Sequence, residues 1–279
     1  MKKKITMPTS IHWQGWLAIL ASVLYLGTGY YLCVSVVEKD YNLSSDKNIA
    51  PLKIAMIADS HIGTTFDGDG FTKHLETIEN QNPDILLIAG DFVDDGTKKI
   101  DMEKACRALG KMNLKYGIYY AYGNHDEGYF NHRDFTADDL ENNLIKNGVH
   151  ILEDQWELID NTFYLVGRLD KNIDGDTRKS MDELLKDIPN DKYIIVMDHE
   201  PNDYEAESNS KADLVVSGHT HGGQMIPIRH VGVLVGANDA TYGYERINDT
   251  DFIVSSGISD WALKFKTGVK SEYVIINVE

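Results

Sequence analysis

Residues with metal-binding side chains recur directly after apolar runs of this chain, and their spacing indicates chemistry. The clearest case is SGHTHGGQ at 217–224, where His219 and His221 follow the apolar run ADLVV. Four further clusters also follow apolar runs: DSH at 59–61, GDFVD at 90–94, GNHD at 123–126 and the single histidine of MDHE at 197–200. Residues i and i+2 leaving a strand project to the same side. Asp59 with His61, and His219 with His221, can therefore each direct two ligands to one volume.

The available donors are oxygen and nitrogen atoms. The chain has only two cysteines, so neither a disulfide framework nor a cysteine zinc site is implied. Carboxylate, amide and imidazole donors suit Mn²⁺, Fe or Zn²⁺. Charge counting favours two divalent ions, because their positive charge exceeds the combined negative charge of Asp59, Asp91 and a bridging hydroxide. The resulting cationic pocket would attract a phosphoryl anion and stabilise the extra charge of its transition state.

Apolar runs alternate with helical patterns after residue 52. Strands are predicted at 53–58, 84–90, 116–123, 162–167, 192–198, 212–218, 251–257 and 272–278, with helices at 71–81, 101–113, 136–147 and 179–187. This alternation, followed by a strand-rich C-terminal third, predicts an α/β fold. The five polar clusters fall at the carboxyl ends of predicted strands, where open α/β sheets build their sites.

The N-terminal region predicts a membrane anchor. Residues 16–37 carry no charge, and about 20 apolar residues suffice to cross a bilayer. Lys2 to Lys4 favour a cytoplasmic N-terminus. We therefore expect a cytoplasmic segment at 1–15, a single span at 16–37, a polar linker at 38–52 and an extracytoplasmic domain at 53–279. The alternative is a cleaved signal peptide, although this run is longer than a usual signal and no good cleavage site follows it.

Net charge limits the partners. The formal net charge of −17 argues against a nucleic-acid partner, because affinity for the phosphate backbone rests on basic residues. A small phosphorylated substrate stays compatible if positive groups are concentrated locally. Nothing in the sequence indicates an oligomeric state.

The clusters DSH, GDFVD, GNHD, the lone histidine and GHTH together resemble the motifs of the calcineurin-like metallophosphoesterases. The resemblance covers residues 53–279 with all five motifs in order. It implies a four-layer α/β/β/α sandwich and hydrolysis of a phosphate ester by a metal-bridging hydroxide. The anchor, GHTHGGQ and SSGISDWALKF further resemble the bacterial membrane-anchored or exported branch of the family.

Residue roles are carried over from this resemblance. It implies a first metal held by Asp59, His61 and His221, and a second held by Asn124, His199 and His219, with Asp91 bridging the two. His125 resembles the family's non-ligand histidine, which assists the leaving group as a general acid. Asp94 and Asp126 would orient the ligands. The cofactors implied are two divalent ions, with Mn²⁺ preferred and Zn²⁺ or Fe as alternatives.

Simpler interpretations stay open for individual residues. Asp59 or Asp91 alone could be a helix N-cap, and Asp94 and Asp126 could be solvated. Arg168 could contact substrate or form a surface salt bridge. Lys264 lies where the branch tends to carry arginine, and it lacks arginine's bidentate fork for phosphate.

Two alternatives to a generic phosphoesterase are compatible with the sequence. The substrate could be a lipid-linked pyrophosphate, as in family members that cleave UDP-diacylglucosamine. The chain could also be a membrane-tethered metal-binding or sensory module that has lost turnover. The complete ligand set and His125 argue against the second.

Overall fold

Two six-stranded sheets form the centre of the fold. The computed structural model describes residues 13–128, 132–170 and 178–279. The strands, in chain order, are β1 (Val37–Leu43), β2 (Leu52–Ile57), β3 (Ile85–Ala89), β4 (Ile118–Ala121), β5 (Val149–Ile151), β6 (Gln155–Ile159), β7 (Phe163–Gly167), β8 (Tyr193–Met197), β9 (Leu214–Ser217), β10 (Gly243–Ile247), β11 (Thr250–Val254) and β12 (Glu272–Val278). The first sheet has the order β1-β12-β2-β3-β4-β5, and the second has the order β10-β11-β9-β8-β7-β6.

Helices connect the strands, and those between β2 and β9 cover the outer faces of the two sheets. They are α1 (Trp13–Val34), α2 (Gly68–Glu79), α3 (Lys99–Leu109), α4 (Ala137–Lys146), α5 (Met181–Leu185), α6 (Tyr204–Ser208) and α7 (Val231–Leu234). Of these, α1 precedes the first strand, and α7 lies between β9 and β10. Capping boxes at Thr136 and Ser180 begin α4 and α5, satisfying backbone N–H groups that a helix start leaves free.

Three apolar cores separate the four layers. One lies between α2, α3, α4 and the first sheet, a second lies between the two sheets, and a third lies between the second sheet, α5 and α6. Strand residues alternate between neighbouring cores, as Ile54 and Ala55 do in β2, because successive side chains point to opposite faces. The predicted α/β/β/α sandwich is therefore confirmed.

Parallel strands direct the polar clusters to one place. Strands β2, β3 and β4 are parallel in the first sheet, and β7, β8 and β9 are parallel in the second. Because parallel strands end at the same edge of a sheet, the loops after β2, β3, β4, β8 and β9 converge. These loops carry all five predicted clusters.

The N-terminal region differs from the expectation. Helix α1 begins and ends three residues before the predicted span, and residues 1–12, including Lys2 to Lys4, lie outside the described part of the chain. The segment expected to be a linker contains β1, which pairs in parallel with β12 from Val37 to Leu43. The structural reason is that β12 offers a free sheet edge. The polar residues of β1 face solvent while Leu43 is buried.

Candidate metal centre

Five residues of the predicted clusters have left-handed backbone conformations. They are Asp59 (φ 53°), His61 (φ 35°), Asp91 (φ 53°), His219 (φ 68°) and His221 (φ 50°). Such φ values are uncommon outside glycine, and strained backbone concentrates at functional sites. The strain turns these side chains toward one another at the ends of their strands.

Two groups of potential ligands lie side by side. Asp59, His61 and His221 form the first group, and Asp91, His199 and His219 form the second. Within each group the potential ligand atoms all lie within 4.8 Å of one another. Each group could hold one metal ion.

Asp91 lies between the two groups. Its Oδ2 is 3.6 Å from Nε2 of His61 and 3.1 Å from Nε2 of His199. Its Oδ1 accepts a hydrogen bond of 2.9 Å from the backbone N–H of His125. One oxygen is therefore held by the backbone while the other faces both groups.

Protein groups that contact or face the Nδ1 atoms orient the histidine rings. Nδ1 of His199 donates to the backbone oxygen of Ala89 at 2.8 Å. Nδ1 of His61 faces Asp94 at 3.6 Å. The Nε2 atoms thus point into the centre, where those of His61 and His221 are 3.3 Å apart. Partners behind a ligating histidine fix its tautomer and orientation.

Asp260 and Lys266 support His221, and sequence reasoning missed both. Oδ1 of Asp260 lies 3.8 Å from Nδ1 of His221 and 3.0 Å from Nζ of Lys266. Both residues are fully buried. The stretch SSGISDWALKF contains Asp260, and Lys266 follows it directly, but nothing in the pattern distinguishes Lys266 from Lys264.

Asp126 organises the loop that carries Asp91. Its carboxylate accepts hydrogen bonds from the backbone N–H groups of Asp91, Phe92, Val93 and Gly123, at 2.8 to 3.1 Å. Asn124 lies on the other side, where its Oδ1 is 3.0 Å from Nδ1 of His219. Asp126 is therefore a buried carboxylate that holds the loop through backbone hydrogen bonds, and it is not solvated.

A cavity of about 620 Å³ opens beside the centre. Its walls include Thr64, Asp94, His125, Trp261 and Ala262. The His125 ring lies 5.2 Å from the His61 ring and 5.7 Å from the Trp261 ring. His125 is thus the histidine that borders both the metal groups and the open space.

Burial and the facing charges set the protonation states. Burial lowers the pKa of His221 well below its usual range, and burial together with the charge of His199 lowers the pKa of His219 to about 4. Burial also raises the pKa of Asp91, but the charges of His199 and His61 outweigh it and hold that pKa well below its usual range. The neutral imidazoles of His219 and His221 beside the ionised Asp91 suit a cation.

The residues present fit divalent cations. Among the described residues, Oδ2 of Asp59 is buried without a hydrogen-bond partner, and Nε2 of His199 is buried facing Oδ2 of Asp91 at 3.1 Å without hydrogen-bond geometry. A buried polar atom without a partner is costly. A cation at each group would satisfy these atoms, and the oxygen and nitrogen donors are those that Mn²⁺, Zn²⁺ and Fe accept.

The two predicted substrate contacts lie elsewhere. Arg168 is buried and pairs with Asp198 at 3.0 Å, Asp203 at 2.8 Å and Glu207 at 3.2 Å. Its guanidinium is thus engaged behind β8 by three carboxylates. Lys264 is exposed, and among the described residues no contact joins it to the metal groups.

Comparison with known proteins decides the family. A model of the calcineurin-like phosphoesterase family matches residues 52–223, more than half of the chain. The chain belongs to the calcineurin-like phosphoesterase family. It is 30% identical to an uncharacterised metallophosphoesterase of Campylobacter jejuni over 82% of this chain and 59% of that protein.

One further member of the family and one solved structure are informative. A transmembrane protein with metallophosphoesterase domain from Bos taurus is 25% identical over 79% of this chain and 51% of that protein. The chain therefore spans about half to three fifths of the length of these two curated relatives. The solved structure of TT1561 from Thermus thermophilus has a TM-score of 0.50 at 12% identity, covering 76% of this chain and 90% of that one. That likeness concerns the fold alone.

Proposed function

We propose that this chain is a membrane-anchored phosphoesterase that hydrolyses a phosphate ester with two divalent metal ions. The observation that carries the proposal is the position of Asp91, whose Oδ2 faces His61 of one group and His199 of the other. His125 borders the adjoining cavity.

The first ion would be held by Asp59, His61 and His221, and the second by Asn124, His199 and His219, with Asp91 shared. We propose Mn²⁺ in both positions, with Zn²⁺ and Fe as the alternatives that these donors accept. Bound ions supply activation of water and neutralisation of phosphoryl charge. The protein residues hold the geometry: Asp94 orients His61, Asp260 orients His221, and Asp126 holds the loop of Asp91.

His125 would act as the general acid. Its ring lies at the border of the cavity and outside both ligand groups. A proton on a ring nitrogen would pass to the departing oxygen of the ester. Burial lowers the pKa of His125, which favours release of that proton.

Helix α1 supports the membrane anchor. It has 22 residues and is long and apolar enough to cross a bilayer, and it is followed directly by β1 of the catalytic domain. We propose a single span with the catalytic domain outside the cytoplasm. Trp261 and Ala262 give one wall of the cavity an apolar character, which favours esters with an apolar group, including a lipid-linked pyrophosphate.

Metal content and turnover of the same sample test the proposal. The full chain, purified in detergent, should bind two divalent ions and hydrolyse a water-soluble aryl phosphate, and a chelator should abolish the turnover. Asp91→Ala should lose metal and activity together, because it removes the carboxylate between the groups. Bound metal without turnover of any aryl, nucleotide or lipid phosphate would instead indicate a retired binding module.

A further inference from the structure

The exposed apolar residues of the catalytic domain are concentrated in one region. Outside α1, twelve large apolar side chains are exposed among the residues that the structure describes, and eight of them lie within 226–235 and 261–263. Leu234 is 81% exposed, Val235 71% and Leu263 59%. Soluble surfaces rarely keep such residues together without a partner.

Hydrogen bonds at the ends of the two segments hold them side by side. The backbone N–H of Ile226 donates to Oγ1 of Thr267 at 2.8 Å, and Nε2 of Gln224 donates to the backbone oxygen of Trp261 at 3.2 Å. We call residues 225–236 and 261–265 together the apolar surface.

The charge of this region is opposite to that of the rest of the chain. Residues 214–238 and 261–271 contain no aspartate or glutamate, although the chain carries 44 acidic residues and a net charge of −17. The same segments contribute Arg229, Lys264 and Lys270. An apolar surface with basic residues is complementary to an anionic lipid bilayer.

Helix α1 contacts this region well before its own C-terminal end. The Phe265 ring lies 5.3 Å from the Tyr25 ring, and the backbone N–H of Lys266 donates to the backbone oxygen of Gly29 at 3.0 Å. A Cβ at Gly29 would collide with the Phe265 ring. Glycine at this position therefore permits the close approach.

This contact sets the depth of the apolar surface. Gly29 precedes Val34, the end of α1, by about 7.5 Å at the rise of an α-helix. Since α1 is only just long enough to span a bilayer, the loop packed on Gly29 must lie below the level at which the span ends. Interfacial protein elements are buried by about 5–10 Å, which matches this depth.

We infer that the apolar surface is a membrane-docking surface that inserts into the headgroup region of an anionic bilayer beside α1. The inference rests on the membrane span proposed above and is independent of the phosphoesterase chemistry. The catalytic domain then contacts the bilayer directly and is not tethered to it by α1 alone. Trp261 and Ala262 belong both to this surface and to the wall of the cavity, so the cavity opens next to the lipid.

Fluorescence quenching in vesicles tests the docking. The full chain, with the buried Cys33 and Cys106 replaced by alanine, would carry an environment-sensitive fluorophore at Leu234→Cys or at Leu263→Cys. The matched control is Ile145→Cys, since Ile145 is 56% exposed on α4. Leu20→Cys in α1 reports on the span itself. The vesicles contain phosphatidylcholine and phosphatidylglycerol.

Brominated acyl chains should quench the fluorophores at 234 and 263 several-fold more strongly than that at 145, and aqueous iodide should show the reverse order. The difference should grow with the phosphatidylglycerol fraction. Iodide access at 234 and 263 equal to that at 145 would overturn the proposal. Protection from both quenchers would also overturn it, since a second copy or another protein would then cover the surface.

Two measurements distinguish failure of the docking from failure of the proposed membrane span or of the proposed phosphoesterase activity. Failure of lipid to quench the fluorophore at 20 would mean that the span is wrong, whereas quenching at 20 but not at 234 or 263 would refute only the docking. Aryl phosphate turnover of Leu234→Asp/Leu263→Asp should stay within about twofold of Ile100→Asp/Ile145→Asp in detergent. Lipid quenching in a chain without turnover would leave the docking supported and the phosphoesterase proposal refuted.

Discussion

Each histidine of the centre has surroundings that decide what it can do. In His61, His199 and His221, Nδ1 faces an acceptor of the protein, so Nε2 points toward the metal groups. His125 is placed differently, because its backbone N–H donates to Asp91 while its ring borders the cavity. This difference supports the proposal that the first three are metal ligands and that His125 acts on substrate.

His125→Ala should therefore keep both metal ions and lose rate. If His125 protonates the leaving group, the loss of turnover should be about 10²- to 10⁴-fold. It should be smaller for esters whose leaving group needs no proton, such as an activated aryl phosphate. The checks are the metal content per chain and the turnover of an alkyl ester against an aryl ester. Loss of metal in this variant would show that His125 is a ligand.

Metal binding should release a proton from His199. Burial lowers the pKa of His199, but the charges of Asp91 and Asp59 outweigh it and raise the pKa well above its usual range. Without metal the ring is therefore protonated at neutral pH, and a ligand must be neutral. Metal affinity should fall as pH falls, by up to about tenfold per pH unit. Calorimetry in two buffers of different ionisation enthalpy would measure the proton, and a buffer-independent enthalpy would contradict it.

At the scale of elements, the buried strands and the longer helices after residue 52 were predictable from the sequence. Apolar runs buried on both sides, such as β3, and caps such as Thr136 leave a clear pattern. The edge elements were not predictable. Strand β1 is mostly polar and so shows no apolar run, and its partner β12 lies more than 200 residues away in the chain.

The sequence predicts which residues form the metal groups, but it does not predict their backbone conformations. Ligand types and spacing identify Asp59, His61 and Asp91, whereas their left-handed backbone depends on the surrounding fold. Arg168 and Asp260 show the limit of this reasoning. A charged residue near a strand end has the same sequence pattern whether it faces substrate, as expected for Arg168, or supports a ligand, as Asp260 does.

Strand β1 gives a prediction about stability. A chain that starts at Val36 keeps β1, whereas one that starts at Ala50 loses its pairing with β12 and the buried side chain of Leu43. The shorter chain should have a free energy of unfolding lower by about 2 kcal/mol or more, because burying one leucine contributes roughly 1.5–3 kcal/mol. Urea unfolding of the two chains measures this. Equal midpoints with equal slopes would mean that β1 acts only as a linker.

At the scale of the whole molecule, the charge is distributed unevenly. Most of the charged residues are acidic, and the region beside α1 is apolar and basic. Repulsion between an acidic protein and anionic lipid would orient the domain so that this region faces the bilayer. The contacts of α1 with Phe265 and Lys266 then fix the same orientation by packing.

The charge distribution also predicts on which side of the membrane the catalytic domain lies. Lys2, Lys3 and Lys4 precede the apolar run, and basic residues next to a first span favour the cytoplasm. The catalytic domain should therefore lie outside, within reach of lipid in the outer leaflet. In spheroplasts a membrane-impermeant maleimide should label Ile145→Cys at once and Lys4→Cys only after permeabilisation. The opposite order of labelling would place the catalytic domain in the cytoplasm and would leave the chemistry of the metal groups unchanged.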